Sequence, residues 1–128
     1  MNNINEIIEN FNTVSLELAD QIVQIYPDSL FANNTYRMKS LVKLSKTKLI
    51  DQFVIHILIY KKYIDEKDDY IFTDNSILEA IKDSKLLTTL MSDIQTLWVN
   101  LNNTNKQKIF EYMQVQCYYA NEYVIYIT

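Results

Sequence analysis

Apolar residues recur at steps of three and four along most of the chain, and the clearest example lies on either side of a polar joint at residues 102–105. This spacing places apolar side chains on one face of a helix before the joint and on one face of a second helix after it. The faces comprise Leu90, Met91, Ile94, Leu97, Trp98 and Leu101, then Ile109, Phe110, Met113, Cys117, Ala120 and Val124. The pattern predicts a C-terminal helical hairpin around Trp98 as an anchor of the core, with Asn103 or Thr104 capping the second helix.

The same periodicity predicts four helices before the hairpin, over residues 4–26, 30–44, 48–64 and 77–82. The two helices of the hairpin should span residues 86–101 and 105–123. Tyr26 precedes the only proline and should end the first helix, because proline disfavours helical geometry in the residue before it. Asp28 or Ser29 can cap the second helix. Residue 74 or 76 should start the helix that follows the acidic segment, with a break near 83–85. The β-branched and aromatic tail, 123–128, can fray, extend the last helix or pair as a strand.

Composition supports a helical fold in one domain, residues 1–128. Glycine is absent, and tight β-hairpin turns usually need glycine or asparagine. Hydrophobic residues make up 48% of the chain, enough for a packed core. The expected architecture is all-α, a single compact bundle of five to six helices.

Charge is segregated along the chain. Residues 1–35 contain five acids and no base, whereas residues 36–48 contain five bases and no acid: Arg37, Lys39, Lys43, Lys46 and Lys48. Lys39, Lys43 and Lys46 share one face if the second helix reaches residue 46. This basic face indicates either a surface for an acidic partner, with a salt-sensitive affinity, or a solvated face that complements the acidic first helix.

Several chemistries are disfavoured by the residues present. The acidic segment 65–75 reads as a loop pinned by Tyr70, Ile71 and Phe72, and it lacks the ligand spacing of an EF-hand. One histidine, His56, and one cysteine, Cys117, cannot supply a usual zinc set. Without glycine no phosphate-cradling loop of the usual kinds is present. We expect no metal, no cofactor, no catalytic residue and no enzyme; an unrecognised carboxylate site is the enzymatic alternative.

A resemblance follows from a set of residues spread between positions 11 and 120. They are Phe11, Tyr26-Pro27-Asp28, Tyr60-Lys61-Lys62-Tyr63-Ile64, Asp68-Asp69-Tyr70-Ile71-Phe72, Leu97-Trp98, Leu101, Asn105-Lys106, Ile109, Tyr112 and Gln114. In this order they resemble a family of small helical proteins encoded by giant, nucleocytoplasmic large DNA viruses. The resemblance implies a viral protein made in the infected cell. It contains no catalytic signature and assigns no functional residue.

The expected function is therefore non-enzymatic, a viral interaction protein that acts through protein–protein contacts. Its expected contact surfaces are the five basic residues and the aromatic C-terminal end, which consists of Tyr118, Tyr119, Tyr123 and Tyr126. The alternative is a virion structural or core component that touches nucleic acid through the same bases, which a net charge of −4 does not favour. The longest apolar run, 53–60, is too short to cross a bilayer, so no membrane contact is expected. A lone cysteine and the lack of a secretory signal pattern favour a reducing compartment. The resemblance then implies the host cytoplasm or viral factory, with packaging in the virion and a homo-oligomer left open.

Overall fold

The computed structural model describes residues 3–27 and 31–128, apart from the side chains of residues 31, 32 and 34. The described residues form helices and no strand, which confirms the all-α prediction. The helices are α1 (Ile4–Ile25), α2 (Phe31–Leu44), α3 (Lys48–His56), α4 (Lys61–Asp65), α5 (Tyr70–Thr73), α6 (Asn75–Ala80), α7 (Lys85–Trp98) and α8 (Asn103–Ile127). A 3₁₀ turn, Leu58–Tyr60, lies between α3 and α4.

The predicted number of five to six helices is not confirmed, because the described residues contain eight α-helical segments. The predicted helix over 48–64 divides into α3, the 3₁₀ turn and α4. Its middle contains Ile55, Ile57 and Ile59, and β-branched side chains lose rotamer freedom against the preceding helical turn. The predicted caps of α2, Asp28 or Ser29, lie outside the described residues.

The acidic segment 65–75 was predicted to be a loop, but it contains a short helix, α5. Ile71 and Phe72 are fully buried and pin the segment to the core, as predicted. Before α5, Lys67 has a positive φ of 53°. Its N–H donates to the Ile64 carbonyl, and the N–H of Asp68 donates to the Tyr63 carbonyl. This is a Schellman ending, in which a lysine occupies the left-handed position that glycine usually takes.

Polar side chains cap several helices. Asp74 accepts from the Ser76 N–H at 2.7 Å and starts α6, one of the two predicted starts. Asn102 accepts from the Asn105 N–H at 2.8 Å and caps α8. The predicted cap at Asn103 or Thr104 is therefore wrong by one residue or two, because the extended backbone that capping requires occurs at Asn102. The tail extends α8 as far as Ile127.

Trp98 is 1% exposed and anchors the core, as predicted. Its ring lies 4.2 Å from that of Phe72 and 5.4 Å from that of Phe110, measured between centroids. These three residues form the aromatic cluster, which joins α5, α7 and α8. Lys106 places its Nζ 5.3 Å from the indole centroid, and the indole Nε1 has no hydrogen-bond partner in the described part of the chain.

Beyond this cluster the two helices of the predicted hairpin pack mainly against other elements. α8 lies along α1, whereas α7 packs against α5, α2 and α6. The side chain of Gln116 on α8 donates to the Ser15 hydroxyl on α1 at 2.9 Å, and this hydroxyl donates to the Phe11 carbonyl. This hydrogen bond fixes the register of α1 on α8. α7 is not part of the α1–α8 pair and packs on the core through α5, α2 and α6.

Candidate functional site: a basic groove beside an apolar cavity

The predicted basic face is divided by the structure. Arg37, Lys39 and Lys43 lie on α2, which ends at Leu44, so Lys46 lies beyond the helix and Lys48 is the first residue of α3. The face that Lys39, Lys43 and Lys46 were predicted to share therefore does not form as one helical surface. Ser45 and Thr47 lie in the break, and hydroxyl side chains compete with helix continuation. The Lys46 carbonyl accepts instead from the Asn12 side chain of α1 at 2.9 Å.

Lys39 pairs with the acidic first helix. Its Nζ lies 3.3 Å from Asp20 Oδ1, and both side chains are about half exposed. An exposed pair of this kind contributes about 0–1 kcal/mol to stability. One of the two predicted alternatives was that the basic segment complements the acidic first helix. The pair between Lys39 and Asp20 shows this complementarity for Lys39.

Arg37 and Lys48 line a groove of about 420 Å³, together with Lys85 from the start of α7. We call this the basic groove; its remaining walls are Leu41, Gln52, Asp83, Ser84 and Leu86. No sequence pattern pointed to Lys85, because it lies 37 positions after Lys48 and in a stretch of mixed charge. Only the packing of α7 against α2 brings the three cations to one place.

The three cations of the basic groove are exposed. Within residues 3–27 and 31–128, neither an acid nor another hydrogen-bonding group pairs with their side chains. Among the described residues that line the groove, Asp83 is the one acid, so their charges sum to two positive, three less one. The groove is therefore a local positive field on a chain whose net charge is −4.

Local structure explains how two of the cations are positioned. Ser84 is buried and caps α7 by accepting from the Leu87 N–H at 3.3 Å, which places Lys85 at the first helical position. Lys48 has the same position in α3. The N-terminal end of a helix dipole favours acids over bases by about 0.3–1 kcal/mol. Both lysines therefore occupy positions that do not stabilise their own helices, and an anion between them would gain from both helix ends.

A cavity of about 70 Å³ lies between α7 and the face of the core formed by α1, α2, α3 and α8. We call it the apolar cavity. Its walls are almost entirely apolar, and three of the four methionines of the chain, Met38, Met91 and Met113, are among them. The other walls are Phe11, Ser15, Leu18, Ala19, Ile22, Leu49, Phe53, Ile57, Leu87, Leu90, Ile94 and Gln116. The polar exceptions, Ser15 and Gln116, bond to each other.

The predicted aromatic surface at the C-terminal end is only partly available. Tyr118 and Tyr126 are each 54% exposed, and Tyr119 is half-buried with its ring 5.2 Å from that of Tyr118. The prediction that Tyr123 belongs to a contact surface is wrong. This residue is 6% exposed, and its hydroxyl donates to Asp51 Oδ1 on α3 at 2.7 Å. Burial, together with the hydrogen bond to Asp51, raises the pKa of Tyr123 to about 12. Tyr123 thus joins α8 to α3 and presents no surface to a partner.

The groups considered for catalysis or metal binding do not converge. Cys117 is fully buried, and burial raises the pKa of its thiol to about 12, so the nucleophilic thiolate is scarce at neutral pH. His56 ends α3 and is half-buried. In the part of the chain that the structure describes, no group of three or more His, Cys, Asp or Glu side chains is placed to hold a metal ion. Over the same residues, no helix combines the length and apolarity needed to span a bilayer.

Comparisons of the chain with protein-family models, with curated proteins and with solved structures gave no match. The groove, the cavity and the charges of the chain are therefore the observations from which a function is inferred.

Proposed function

We propose that this chain is a non-enzymatic interaction protein that binds an acidic segment of another protein in the basic groove. The observation that carries the proposal is the convergence of Arg37, Lys48 and Lys85, none of which pairs with a group in the described residues. Complementary charge steers association and selects partners, so three cations held in one groove favour a partner rich in aspartate or glutamate. The exposed rings of Tyr118 and Tyr126 are a second candidate contact, at the far end of α8.

The resemblance to small helical proteins of giant DNA viruses supports a setting for this function. We place the protein in the infected cell, in the host cytoplasm or the viral factory. We also propose that the chain is one domain in which the segments between Lys48 and Asp65 act as one unit. If α5 and α6, which only Asp74 separates, also act as one unit, the eight segments form a compact bundle of six helical units.

Nucleic acid is the alternative ligand, in a virion structural or core component. Two features favour an acidic protein over it. The groove offers three cations, whereas proteins that hold a nucleic-acid backbone commonly make about 6–10 phosphate contacts. The net charge of −4 also repels a polyanion outside the groove. A stoichiometric copy number in purified particles, measured by mass spectrometry, would favour the virion component.

Charge reversal tests the proposal directly. The probe is a capped peptide of glutamates, titrated by fluorescence anisotropy at low and at physiological salt. The triple variant Arg37→Glu, Lys48→Glu, Lys85→Glu should weaken binding at low salt by about a hundredfold, since each lost charge contact costs up to about tenfold. The matched control is Lys43→Glu with Lys46→Glu, two exposed bases of the same segment that do not line the groove.

The control variant should bind the peptide within about threefold of the unaltered protein. Equal loss in both variants would show that only overall charge matters and would refute the groove. Titration of single-stranded DNA under the same conditions forms a second arm. Tighter and equally groove-dependent binding of DNA would replace the proposed partner with nucleic acid.

A further inference from the structure

We infer that the basic groove and the apolar cavity form one composite site, which takes an acidic segment that carries a single aliphatic side chain. The aliphatic side chain enters the apolar cavity while the flanking carboxylates meet Arg37, Lys48 and Lys85. The inference rests on the proposed function and adds to it the chemistry of the partner. It also explains why a cavity lies beside the groove.

The groove and the cavity are lined by neighbouring residues of the same three helices. On α2, Arg37 lines the groove and Met38 the cavity; on α3, Lys48 lines the groove and Leu49 the cavity. On α7, Leu86 lines the groove and Leu87 the cavity. Each pair consists of consecutive residues, whose α-carbons are about 3.8 Å apart. No described residue lines both, so the groove and the cavity lie on adjacent sides of these three helices, and the inferred ligand reaches the cavity between them.

The side chains of α7 that line the cavity mark its outer limit. Leu87, Leu90 and Ile94 are each 8% exposed, whereas Phe11 and Cys117, deeper in the core, are fully buried. α7 packs mainly against α5, α2 and α6, and the cavity occupies the space toward α1. These three are the most exposed of the buried apolar side chains in the described residues.

The size of the cavity selects the anchoring group. A cavity of about 150 Å³ accepts benzene. The apolar cavity holds about 70 Å³, close to half of that, which suits a branched aliphatic group of a few carbon atoms rather than an aromatic ring. Met38, Met91 and Met113 add adaptability, because an unbranched thioether adjusts to the shape of a guest.

The arrangement has the form of an interface hot spot. One apolar group buried in a pocket and surrounded by contacts that exclude water commonly contributes most of the affinity. The cations of the groove would then set the rate of encounter and the preference for acidic sequence, while the cavity would set the dwell time. A segment with leucine between glutamates satisfies both parts, and one with alanine satisfies only the cations.

Two peptides separate these contributions on the unaltered protein. Both are capped and consist of glutamates around one central residue, which is leucine in the first and alanine in the second. The leucine peptide should bind about tenfold or more tightly, since the loss of even one methylene from a fitted pocket costs about 10–200-fold. Methyl NMR signals of Met38, Met91 and Met113 should shift with the leucine peptide and stay unchanged with the alanine peptide.

The variant Ala19→Val narrows the cavity from α1 without touching the groove. It should bring the leucine peptide down to the affinity of the alanine peptide, whose own salt-sensitive binding should not change. Equal affinity of both peptides for the unaltered protein, or a leucine preference that survives in Ala19→Val, would overturn the composite site while the proposed function stands. Failure of both peptides to bind at low salt would overturn the proposed function, and the composite site with it.

Discussion

The aromatic cluster and the apolar cavity lie toward opposite ends of the buried face of one helix, α7, and they differ in how they are filled. At the C-terminal end of α7, Trp98 packs against Phe72 and Phe110 at centroid distances of 4.2 Å and 5.4 Å. Toward its N-terminal end, Leu87 and Leu90 face a cavity of about 70 Å³. Protein interiors are normally packed as densely as organic crystals, so the second arrangement is the unusual one.

The difference assigns separate roles to the two regions. Burial of large rings in the aromatic cluster stabilises the fold through apolar area and ring contacts. The cavity leaves contacts unmade and lies beside three cations with no acidic partner in the described residues. A region that contributes less than it could to stability is where a binding function is expected, because functional sites commonly depart from optimal packing.

The largest effect is expected at Trp98. Replacement by alanine should lower the free energy of unfolding by about 3–5 kcal/mol, because it removes the central ring of the cluster. Native domains are stable by about 5–15 kcal/mol, so this variant should be close to unfolding. Urea denaturation followed by circular dichroism measures the change. Trp98→Phe is the control, and it should cost much less because it keeps a ring and removes an indole N–H that has no partner in the described residues.

A pair of alanines compares a closely packed position of the core with one beside the cavity. Ala120 is fully buried away from the cavity, and Ala19 is as deeply buried but lines it. Ala120→Val should destabilise the protein by about 1–3 kcal/mol through overpacking. Ala19→Val should be neutral or raise stability by about 0.5–2 kcal/mol, because the added methyl groups fill space. Thermal denaturation of the two variants measures both, and equal destabilisation would mean that the cavity offers no room.

The hydrogen bond from Tyr123 to Asp51 should have a smaller effect, and one that depends on pH. Tyr123→Phe should cost about 1.5 kcal/mol near neutral pH, where the hydroxyl donates to a carboxylate. The folded state raises the pKa of Tyr123 from 10.0 to about 12, so its stabilisation is complete below pH 10 and is lost as the pH rises through 12.

Urea midpoints of the variant and the unaltered protein should therefore differ near neutral pH and converge in strong alkali. Cys117, whose pKa rises from 9.0 to about 12, titrates over the same range in both proteins and cancels in the difference. If the difference between the two urea midpoints persisted unchanged above pH 12, the hydroxyl proton of Tyr123 would not be the source of the stabilisation.

The smallest effect is expected at the exposed ion pair between α2 and α1. Lys39→Met removes the exposed ion pair with Asp20 and should change stability by about 0–1 kcal/mol, less at high salt. Acidic-peptide binding should persist, because Lys39 does not line the groove. A loss of binding as large as that of the triple variant Arg37→Glu, Lys48→Glu, Lys85→Glu would place the interaction surface on the outer face of α2 instead.

Much of the fold could be predicted from periodicity. α1 and the end of α2 lie where the pattern placed them, and Trp98 is the buried anchor. The division of the predicted helix over 48–64 could not be foreseen, since runs of isoleucine occur in helices and strands alike. The packing of α8 along α1 rather than along α7 depends on contacts between residues about 100 positions apart, such as Ser15 with Gln116.

The candidate site was less accessible to sequence reasoning. The basic segment drew attention to Arg37 and Lys48, but it also included Lys39, which pairs with Asp20, and Lys46, which lies outside the helix. Lys85 carried no sequence signal. Tyr123 looked like its neighbours Tyr119 and Tyr126, and only the position of Asp51 across the core accounts for its burial.

By itself, the sequence determined that this chain is helical, that each helix has one apolar face, and that basic residues cluster after an acidic first helix. These are local properties, set by the helical repeat and by composition. Tertiary structure alone decided which faces meet, where the core is left unfilled, and which three cations share a groove. The physical reason is that these features depend on the packing of elements far apart in the chain, and a helical repeat specifies that a face is buried but not against what.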